Sequence, residues 1–269
     1  MCLRHGATTE PTNQLHMVTP RRIAASFARQ DWATVLIEFV LVIIGVLIAL
    51  RLDQFAEDRR VDKQEINFLG LVATDIARDI DDLENLGTMY GAVRKFGDDA
   101  LETLGSDACI DDCWSQIVAF FQASQWMDVR LNSSTYEEIK RTGFPRNPAL
   151  KELLARYYSL GEQRYLIAGL PPYRELVRSL IPVSVQDHLW AKCWEMSGRR
   201  QTLVTDCEAG VSNPEARRII DEIRAHPDIR STLHSWLSTV AVINQTIPPQ
   251  IDEANELIES LSSYTRNAR

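Results

Sequence analysis

The sequence lacks the features by which several large protein classes are recognised. Only 12 glycines and 11 prolines occur among 269 residues, and no segment repeats at a fixed period, which excludes a collagen-like or low-complexity chain. Lysine and arginine are outnumbered by aspartate and glutamate, 29 to 37, leaving a formal net charge of −8. No basic cluster interrupts this acidic balance, so the chain is not expected to bind nucleic acid.

The sequence also lacks a recognisable catalytic motif. It contains no P-loop, no dinucleotide-binding glycine fingerprint, no G-x-S-x-G turn and no H-E-x-x-H metal motif. Its five histidines are scattered, and His226 and His234 are interpreted as partly exposed structural residues. We therefore predict no enzymatic activity, no bound cofactor and no metal ion.

What the sequence does contain is one long apolar run near its start. Residues 32–52 are apolar except for Thr34, Glu38, Gly45 and Arg51. At about 1.5 Å per residue, a helix of this length spans a bilayer core of about 30 Å. A cleaved signal peptide is the alternative because arginines precede the run, but no small-x-small cleavage site follows it. We predict an uncleaved transmembrane helix at 32–52.

One face of this predicted helix differs from the rest. At helical spacing it carries Thr34, Glu38, Gly45, Ala49 and Asp53. Gly45 and Ala49 form a small-xxx-small pair that lets a second helix approach, and Glu38 is placed to hydrogen-bond across such an interface. The alternative is that Glu38, near the helix start, extends to the membrane surface. The face predicts association with another transmembrane helix, from a second copy or from a partner protein.

The cysteines suggest a compartment and an orientation. All except Cys2 follow the apolar run, and we predict the disulfides Cys109–Cys113 and Cys193–Cys207. Such a set on one side of a membrane indicates an oxidising compartment; free thiols in a reduced domain and a metal site are the alternatives. Basic residues are nearly balanced across the run. The cysteines therefore decide the predicted orientation, with the N-terminus cytoplasmic and the C-terminal domain in the bacterial periplasm.

The remaining segments predict an all-α protein. We expect a disordered tail at 1–18 and an amphipathic juxtamembrane segment at 19–31. The transmembrane helix is expected to continue as a long helical extension at 53–104, followed by a soluble helical bundle at 105–269. No alternating strand and no Asn-Gly or Asp-Gly hairpin signal is present.

Periodicity in the helical extension comes from apolar residues at alternating spacings of three and four. These residues are Ile66, Leu69, Ala73, Ile76, Ile80 and Leu83. The series is typical of one helix packed in a bundle, with a short coiled coil as the alternative. Asp75, Asp79 and Asp82 also recur at helical spacing and are interpreted as a solvated face.

Helix boundaries in the bundle are predicted from capping residues and prolines. Asn147 and Asn213 each precede a proline, which predicts an N-cap followed by the first helical position. A break is expected at Pro227. The adjacent Pro248 and Pro249 predict a new helix start or a kink.

Two segments together resemble an abundant bacterial family of single-pass membrane proteins of unknown function. "IEFVLVIIGVLIALRLDQF" resembles its N-terminal membrane segment, and "LNSSTYEEIKRTGFPRNPALKELLARYY", residues 131–158, resembles its second helical signature. The matching positions are Glu38, Gly45, Tyr136, Glu137, Gly143, Tyr157 and Tyr158. The chain departs at Leu52–Phe55, where relatives often carry Asn-Trp. The resemblance brings no activity with it; the second signature itself is interpreted as two helices joined at Gly143, with tyrosines packing the hairpin.

Together these patterns predict a single-pass inner-membrane protein whose periplasmic helical domain acts by protein–protein contact. It would be an oligomer, a scaffold or an accessory subunit of a membrane complex. The alternative is a membrane-tethered sensor or enzyme with a ligand pocket in the bundle. Such a pocket would be lined by His188, His226, His234 or clustered acids.

Overall fold

The computed structural model describes residues 32–106, 109–128, 130–167 and 170–267. The tail expected at 1–18 and the juxtamembrane segment expected at 19–31 lie outside these residues. Contacts divide the chain into two units, Met1–Val61 and Asp62–Arg269. Each unit is described by itself.

The described chain is all-α apart from one small hairpin, as the sequence predicts. The elements in chain order are α1 (Trp32–Gly105), α2 (Cys113–Ala123), α3 (Ser134–Thr142), α4 (Pro148–Ile167), α5 (Pro172–Leu180), α6 (Val183–Lys192), β1 (Trp194–Ser197), β2 (Arg200–Leu203), α7 (Asn213–Ala225) and α8 (Ile229–Asn267).

Helix α1 is 74 residues long and contributes to both units. It has no internal break because no proline lies between Pro20 and Pro145, so every backbone N–H in the helix interior has its partner. In the first unit α1 is the whole described structure, residues 32–61. Its apolar side chains there are exposed, except those of Val35 and Val61, which are half-buried.

The core of the second unit lies between the later turns of α1 and the helices α2, α5, α7 and α8. Tyr90 of α1 packs edge-on against Trp236 of α8, with ring centroids 6.1 Å apart. Gly97 allows the two helices to come close, since a Cβ there would lie 2.3 Å from Cδ2 of Leu237. Large apolar side chains of α2, including Phe120 and Phe121, are fully buried in the same core.

Helices α3 and α4 form the hairpin predicted from the second signature. Gly143 ends α3 with a φ of 85°, a left-handed conformation that glycine adopts readily. The following Phe144–Pro145 peptide bond is cis. Asn147 caps α4 as expected, because its Oδ1 accepts hydrogen bonds from the backbone N–H groups of Ala149 and Leu150.

The expectation of no hairpin is wrong at Trp194–Leu203. Strands β1 and β2 pair antiparallel, with Ser197 opposite Arg200, and Gly198 in the turn has a φ of 62°. The strands are largely exposed on both faces, so they lack the alternation of apolar and polar residues that marks a half-buried strand.

Helix α8 does not restart at the proline pair. Pro248 and Pro249 lie inside one continuous helix, Ile229–Asn267. Ile247 before the pair is buried, and a Cβ added at Gly87 of α1 would lie 3.6 Å from its Cγ2; Ala254 after the pair is also buried. Packing on both sides of the pair therefore outweighs the loss of two backbone N–H donors. The break expected at Pro227 is present, since α7 ends at Ala225 and α8 begins at Ile229.

Candidate functional site

The first candidate site is the exposed apolar segment, residues 32–55 of α1. An 18-residue window of this helix has a mean hydropathy of 2.9, and none of it is buried within the protein. Side chains stand open along its length, from Trp32 at 69% exposed to Phe55 at 56% exposed. The segment is long and apolar enough to cross a membrane. Such a surface is unfavourable in water and is typical of one that meets lipid or another protein.

The predicted polar and small-residue stripe runs along one side of the exposed apolar segment. Because the segment is one uninterrupted helix, Thr34, Glu38, Gly45, Ala49 and Asp53 fall within a sector of about 100°. All five are exposed. A Cβ added at Gly45 would meet no described atom within 4 Å. Pairing of the stripe with a second helix stays a prediction.

A second candidate site is a carboxylate row on α1 that faces the bundle. Glu65 is 1% exposed, Asp75 8% and Asp79 0%, and their spacings place them within a sector of about 80°. The interpretation of Asp75 and Asp79 as a solvated face is therefore wrong. Each carboxylate accepts hydrogen bonds from residues 131–158, as Asp75 does from the Thr135 hydroxyl. These donors are far away in sequence, so spacing along α1 could not reveal the burial.

Asp79 is the most enclosed member of the carboxylate row. Its Oδ1 accepts hydrogen bonds from the backbone N–H of Asn132, at 2.9 Å, and from the Asn132 side-chain amide. Its Oδ2 accepts one from the Tyr157 hydroxyl at 3.2 Å. Burial raises the pKa of Asp79 despite these hydrogen bonds, and the charge of Asp82 adds to the increase. The Asp82 side chain is itself only 15% exposed, and its Oδ2 lies 2.8 Å from Nη2 of Arg199.

Glu65, at the other end of the row, joins three parts of the bundle. It accepts hydrogen bonds from the backbone N–H of Arg146 at 2.8 Å, from Arg146 Nε at 2.7 Å and from the Tyr264 hydroxyl at 3.1 Å. Arg146 also pairs with Asp62, and the two carboxylates raise the pKa of the guanidinium. The loop before α4 and the end of α8 are thus both fastened to α1.

The tyrosines of the second signature are structural. Tyr136 and Tyr158 stack with ring centroids 4.3 Å apart, and Tyr157 meets Tyr158 edge-on at 5.1 Å. Burial raises the pKa of both Tyr136 and Tyr158. All three rings are buried, whereas Glu137 is exposed and pairs with Lys140. The signature therefore packs the α3–α4 hairpin against α1 and presents no exposed tyrosine for chemistry.

The cysteines of the bundle form two disulfides, Cys109–Cys113 and Cys193–Cys207, with Cα–Cα distances of 5.5 and 5.2 Å. Cys113 is the first residue of α2, so Cys109 lies in the preceding loop. That arrangement makes a spacing of four compatible with a bond, which a continuous helix would not. The second disulfide closes the base of the β1–β2 hairpin.

Asn213 fastens the first disulfide loop instead of capping a helix. Its Oδ1 accepts a hydrogen bond from the backbone N–H of Cys113 at 3.0 Å, and its Nδ2 donates to the Ile110 carbonyl at 2.9 Å. The prediction that Asn213 is the N-cap of α7 is wrong. The N-cap is Ser212, whose side chain makes no capping bond to the described chain. The Asn213 side-chain amide instead forms hydrogen bonds with the loop around Cys113, 100 residues earlier in the chain.

The histidines of the alternative function are not brought together. His188 packs edge-on against Trp114, and its Nε2 lies 2.8 Å from the Glu208 carbonyl oxygen. His226 follows α7 and accepts a hydrogen bond from the Asp228 backbone, and His234 is exposed on α8. Within the described ranges, no group of three His, Cys, Asp or Glu residues is placed to hold a metal ion.

A polar cleft of about 360 Å³ lies between α1 and α2. Lys95, Asp99 and Glu102 line its α1 side, and Gln116 lines its α2 side. The Oε1 atom of Gln116 is buried there and accepts no hydrogen bond from the part of the chain that the structure describes. Two acidic residues, Asp99 and Glu102, therefore line the cleft, but none of the three histidines just described does.

Two charged features escaped sequence reasoning. Glu65 stands alone in a polar stretch and belongs to no periodic series. Arg174 and Arg178 of α5 are partly buried, although arginines four residues apart are typical of a solvated helix face. The sequence offers only a weak signal: each arginine directly follows an apolar residue, Tyr173 or Val177. In the structure both of these residues are completely buried.

No protein-family model, no curated protein and no solved structure matches this chain. Fold and geometry define it as an all-α protein with one long apolar N-terminal helix and a disulfide-bonded helical bundle.

Proposed function

We propose that this chain is a single-pass protein of the bacterial inner membrane whose periplasmic helical domain acts by protein–protein contact. The exposed apolar segment is its anchor. The stripe on that segment binds a second transmembrane helix, from another copy or from a partner protein. The chain then serves as an oligomer, a scaffold or an accessory subunit of a membrane complex.

The observation that carries this proposal is the exposure of the apolar segment. Burying one Leu, Ile, Val or Phe side chain is worth about 1.5–3 kcal/mol, so leaving the whole set in water would cost on the order of 20 kcal/mol. The large apolar side chains from Leu36 to Leu52 belong to no buried core and are each at least 41% exposed. A lipid bilayer supplies the missing cover over the required length.

The stripe supports contact with another helix inside the bilayer. A helix face that meets only lipid tails gains nothing from having a glycine, an alanine and a carboxyl group together. A neighbouring helix packs closely against the small residues and forms a hydrogen bond with the carboxyl group. Glu38 does not belong to the carboxylate row, and it forms no ion pair within the described chain.

The disulfides support the orientation. Two bonded pairs in the bundle fit a domain on the oxidising side of the membrane, with the N-terminus on the other side. Mass spectrometry of native protein, alkylated with and without reductant, is expected to show four additional thiols after reduction. Four reactive thiols before reduction would place the bundle in a reduced compartment and reverse the assigned orientation.

Association through the stripe is tested by crosslinking the full-length chain in isolated membranes. Glu38→Ala and Gly45→Leu are expected to reduce the crosslinked species at least fivefold. Glu38→Gln is expected to retain most of it, because glutamine still hydrogen-bonds across the interface and carries no charge. The matched control is Leu47→Ala, on the opposite side of the same helix.

The outcomes separate the two kinds of partner. A crosslinked product of twice the chain mass identifies a second copy, and a product of another mass identifies a partner protein. A wild-type chain that stays monomeric, or crosslinking that is unchanged in both Glu38→Ala and Gly45→Leu, would rule out the stripe as an interface.

The polar cleft supports a second candidate, a membrane-tethered sensor. Two carboxylates, Asp99 and Glu102, line it against one cation, Lys95. Together with Gln116 Oε1 they match a small ligand rich in N–H donors, such as an organic amine. Calorimetry with putrescine as the probe is expected to show binding that Gln116→Leu weakens and that exposed Glu84→Gln leaves unchanged. Absence of binding, or equal binding to Gln116→Leu, would remove the basis of this candidate.

A further inference from the structure

Two arginines of α5 converge on one residue at the end of α2. Arg174 and Arg178 are one helical turn apart, and both reach Ser124. Arg174 Nη1 donates to the Ser124 carbonyl at 2.9 Å, and Arg178 Nε donates to the Ser124 hydroxyl at 3.1 Å. Two like charges are therefore held close together beside a residue that is completely buried.

The partners of these guanidinium groups are neutral. Arg178 lies between two aromatic rings, with its Cζ 4.4 Å from the Phe121 centroid and 4.8 Å from that of Trp190. Arg174 has one further contact, a long one of 3.5 Å to the Gln125 side-chain oxygen. Among the described residues, neither arginine has a carboxylate within ion-pair distance, although the chain as a whole is strongly acidic.

One donor of the pair is buried and unused. Nη2 of Arg178 is inaccessible to solvent and meets no hydrogen-bond acceptor in the described chain. Buried guanidinium nitrogens normally bind an acceptor, because the group gives up strong hydration when it leaves water. Burial, together with the charge of Arg174, lowers the pKa of Arg178 to about 9.

The negative end of helix α2 does not supply the missing charge. Its last carbonyls are already occupied by neutral donors: Phe120 by the Tyr173 hydroxyl, Phe121 by Ser124 and Ala123 by the Trp236 indole N–H. The hydrogen bonds of the two arginines go only to Ser124 and Gln125, which follow the helix. Their positive charges therefore exceed what capping of α2 requires.

We propose that Arg174 and Arg178 form a binding site for a small oxyanion, the phosphate or carboxylate group of a ligand, beside Ser124. Guanidinium groups bind planar or tetrahedral oxyanions through paired N–H donors, and two converging groups surround such an anion. The anion neutralises the two positive charges, which no carboxylate of the described chain pairs with. The site makes the bundle a receptor for an anionic small molecule, independently of the association proposed for the exposed apolar segment.

The test is calorimetric titration of the full-length chain in maltoside detergent, in a buffer free of phosphate and carboxylate, with ionic strength held by sodium chloride. The probes are inorganic phosphate in one arm and acetate in the other, and the arm that binds more tightly identifies the oxyanion. Tryptophan fluorescence gives a second readout, because the ring of Trp190 lies against Arg178. Saturable binding with a fluorescence change is expected.

The variants locate the site. Arg174→Gln is expected to weaken binding at least tenfold, and Arg178→Gln likewise. The matched control, Arg218→Gln, removes an arginine whose side chain is 73% exposed and is expected to leave the affinity unchanged. Arg178→Gln also loses the contacts with two rings, so Arg174→Gln decides the matter where Arg178→Gln fails to fold by circular dichroism. Wild-type protein that binds neither probe, or Arg174→Gln that binds as tightly as wild type, would overturn the proposal.

Discussion

Replacement of Asp79 gives the sharpest test of the carboxylate row. The carboxylate is fully buried and accepts three hydrogen bonds, two from Asn132 and one from Tyr157. A hydrogen bond to a charged group contributes about 1.5–3 kcal/mol. Removing all three in Asp79→Ala is partly offset, because the cost of burying a carboxylate disappears as well. We expect a net loss of about 3 kcal/mol in the free energy of unfolding.

Asp79→Asn separates the hydrogen bonds from the charge. Asparagine keeps an oxygen for the two Asn132 donors, and its amide group donates to the Tyr157 hydroxyl, which is able to accept. The expected change is within about 1 kcal/mol of wild type. Asp81→Ala is the matched control, since Asp81 is exposed on the same helix and surface substitutions change stability by about 0.5 kcal/mol or less.

The raised pKa of Asp79 also predicts how pH acts. Between the ordinary value of 3.8 and the raised folded-state value, the native protein keeps a proton that the unfolded chain has released. The contribution of Asp79 to stability is therefore present below that interval and falls as pH rises through it. Asp79→Asn lacks this titration, so its stability relative to wild type should increase across the same interval.

Urea titration of the full-length protein in detergent, followed by tryptophan fluorescence at several pH values, measures these quantities. Asp79→Ala that loses less than about 1 kcal/mol, or Asp79→Asn that is as unstable as Asp79→Ala, would refute the assigned hydrogen-bond role. A difference between Asp79→Asn and wild type that is independent of pH would refute the raised pKa.

Two further substitutions test the packing around α1 by the same urea titration. Gly97→Ala is expected to lower the free energy of unfolding by about 1–3 kcal/mol, because the new Cβ would overlap Leu237. The control is exposed Gly91, where an added Cβ meets no described atom within 4 Å and Gly91→Ala should raise the free energy of unfolding by up to about 1 kcal/mol. Equal effects at the two sites would contradict the close approach of α1 and α8. Arg146→Ala is expected to lower the free energy of unfolding by about 3 kcal/mol, because it leaves the Glu65 carboxylate, 1% exposed, without its cation. Glu65→Ala should lower it by less. The reverse order would show that Glu65 is not held as a buried charge.

Much of the helical architecture was readable from local pattern. The absence of proline between Pro20 and Pro145 anticipated one long helix, and Gly143 and Asn147 marked the α3–α4 turn through their conformational and capping preferences. Each of these signals acts over a few residues, which is why sequence sufficed. Cysteine spacing was informative in the same way, since both bonded pairs close short segments.

The local patterns failed where distant residues changed the environment of a side chain. Helical spacing predicts a solvated Asp79, but Asn132 and Tyr157 surround it and donate hydrogen bonds to it. The Asn-Pro pair predicts a helix cap at Asn213, but its side-chain amide binds the loop at Cys113 instead. The hairpin at 194–203 carried too little apolar alternation to be seen. In each case the deciding contact joins elements whose proximity only folding establishes.

The sequence by itself determined the anchor-like segment, the stripe on it and the all-α class, because hydropathy and helical periodicity are properties of consecutive residues. Tertiary structure alone decided which charges are buried. It fastened Glu65, Asp75 and Asp79 to the signature hairpin, and it brought Arg174 and Arg178 together beside Ser124 without a carboxylate. Burial of a charge depends on the three-dimensional set of its neighbours, and that set is not encoded in any one stretch of the chain.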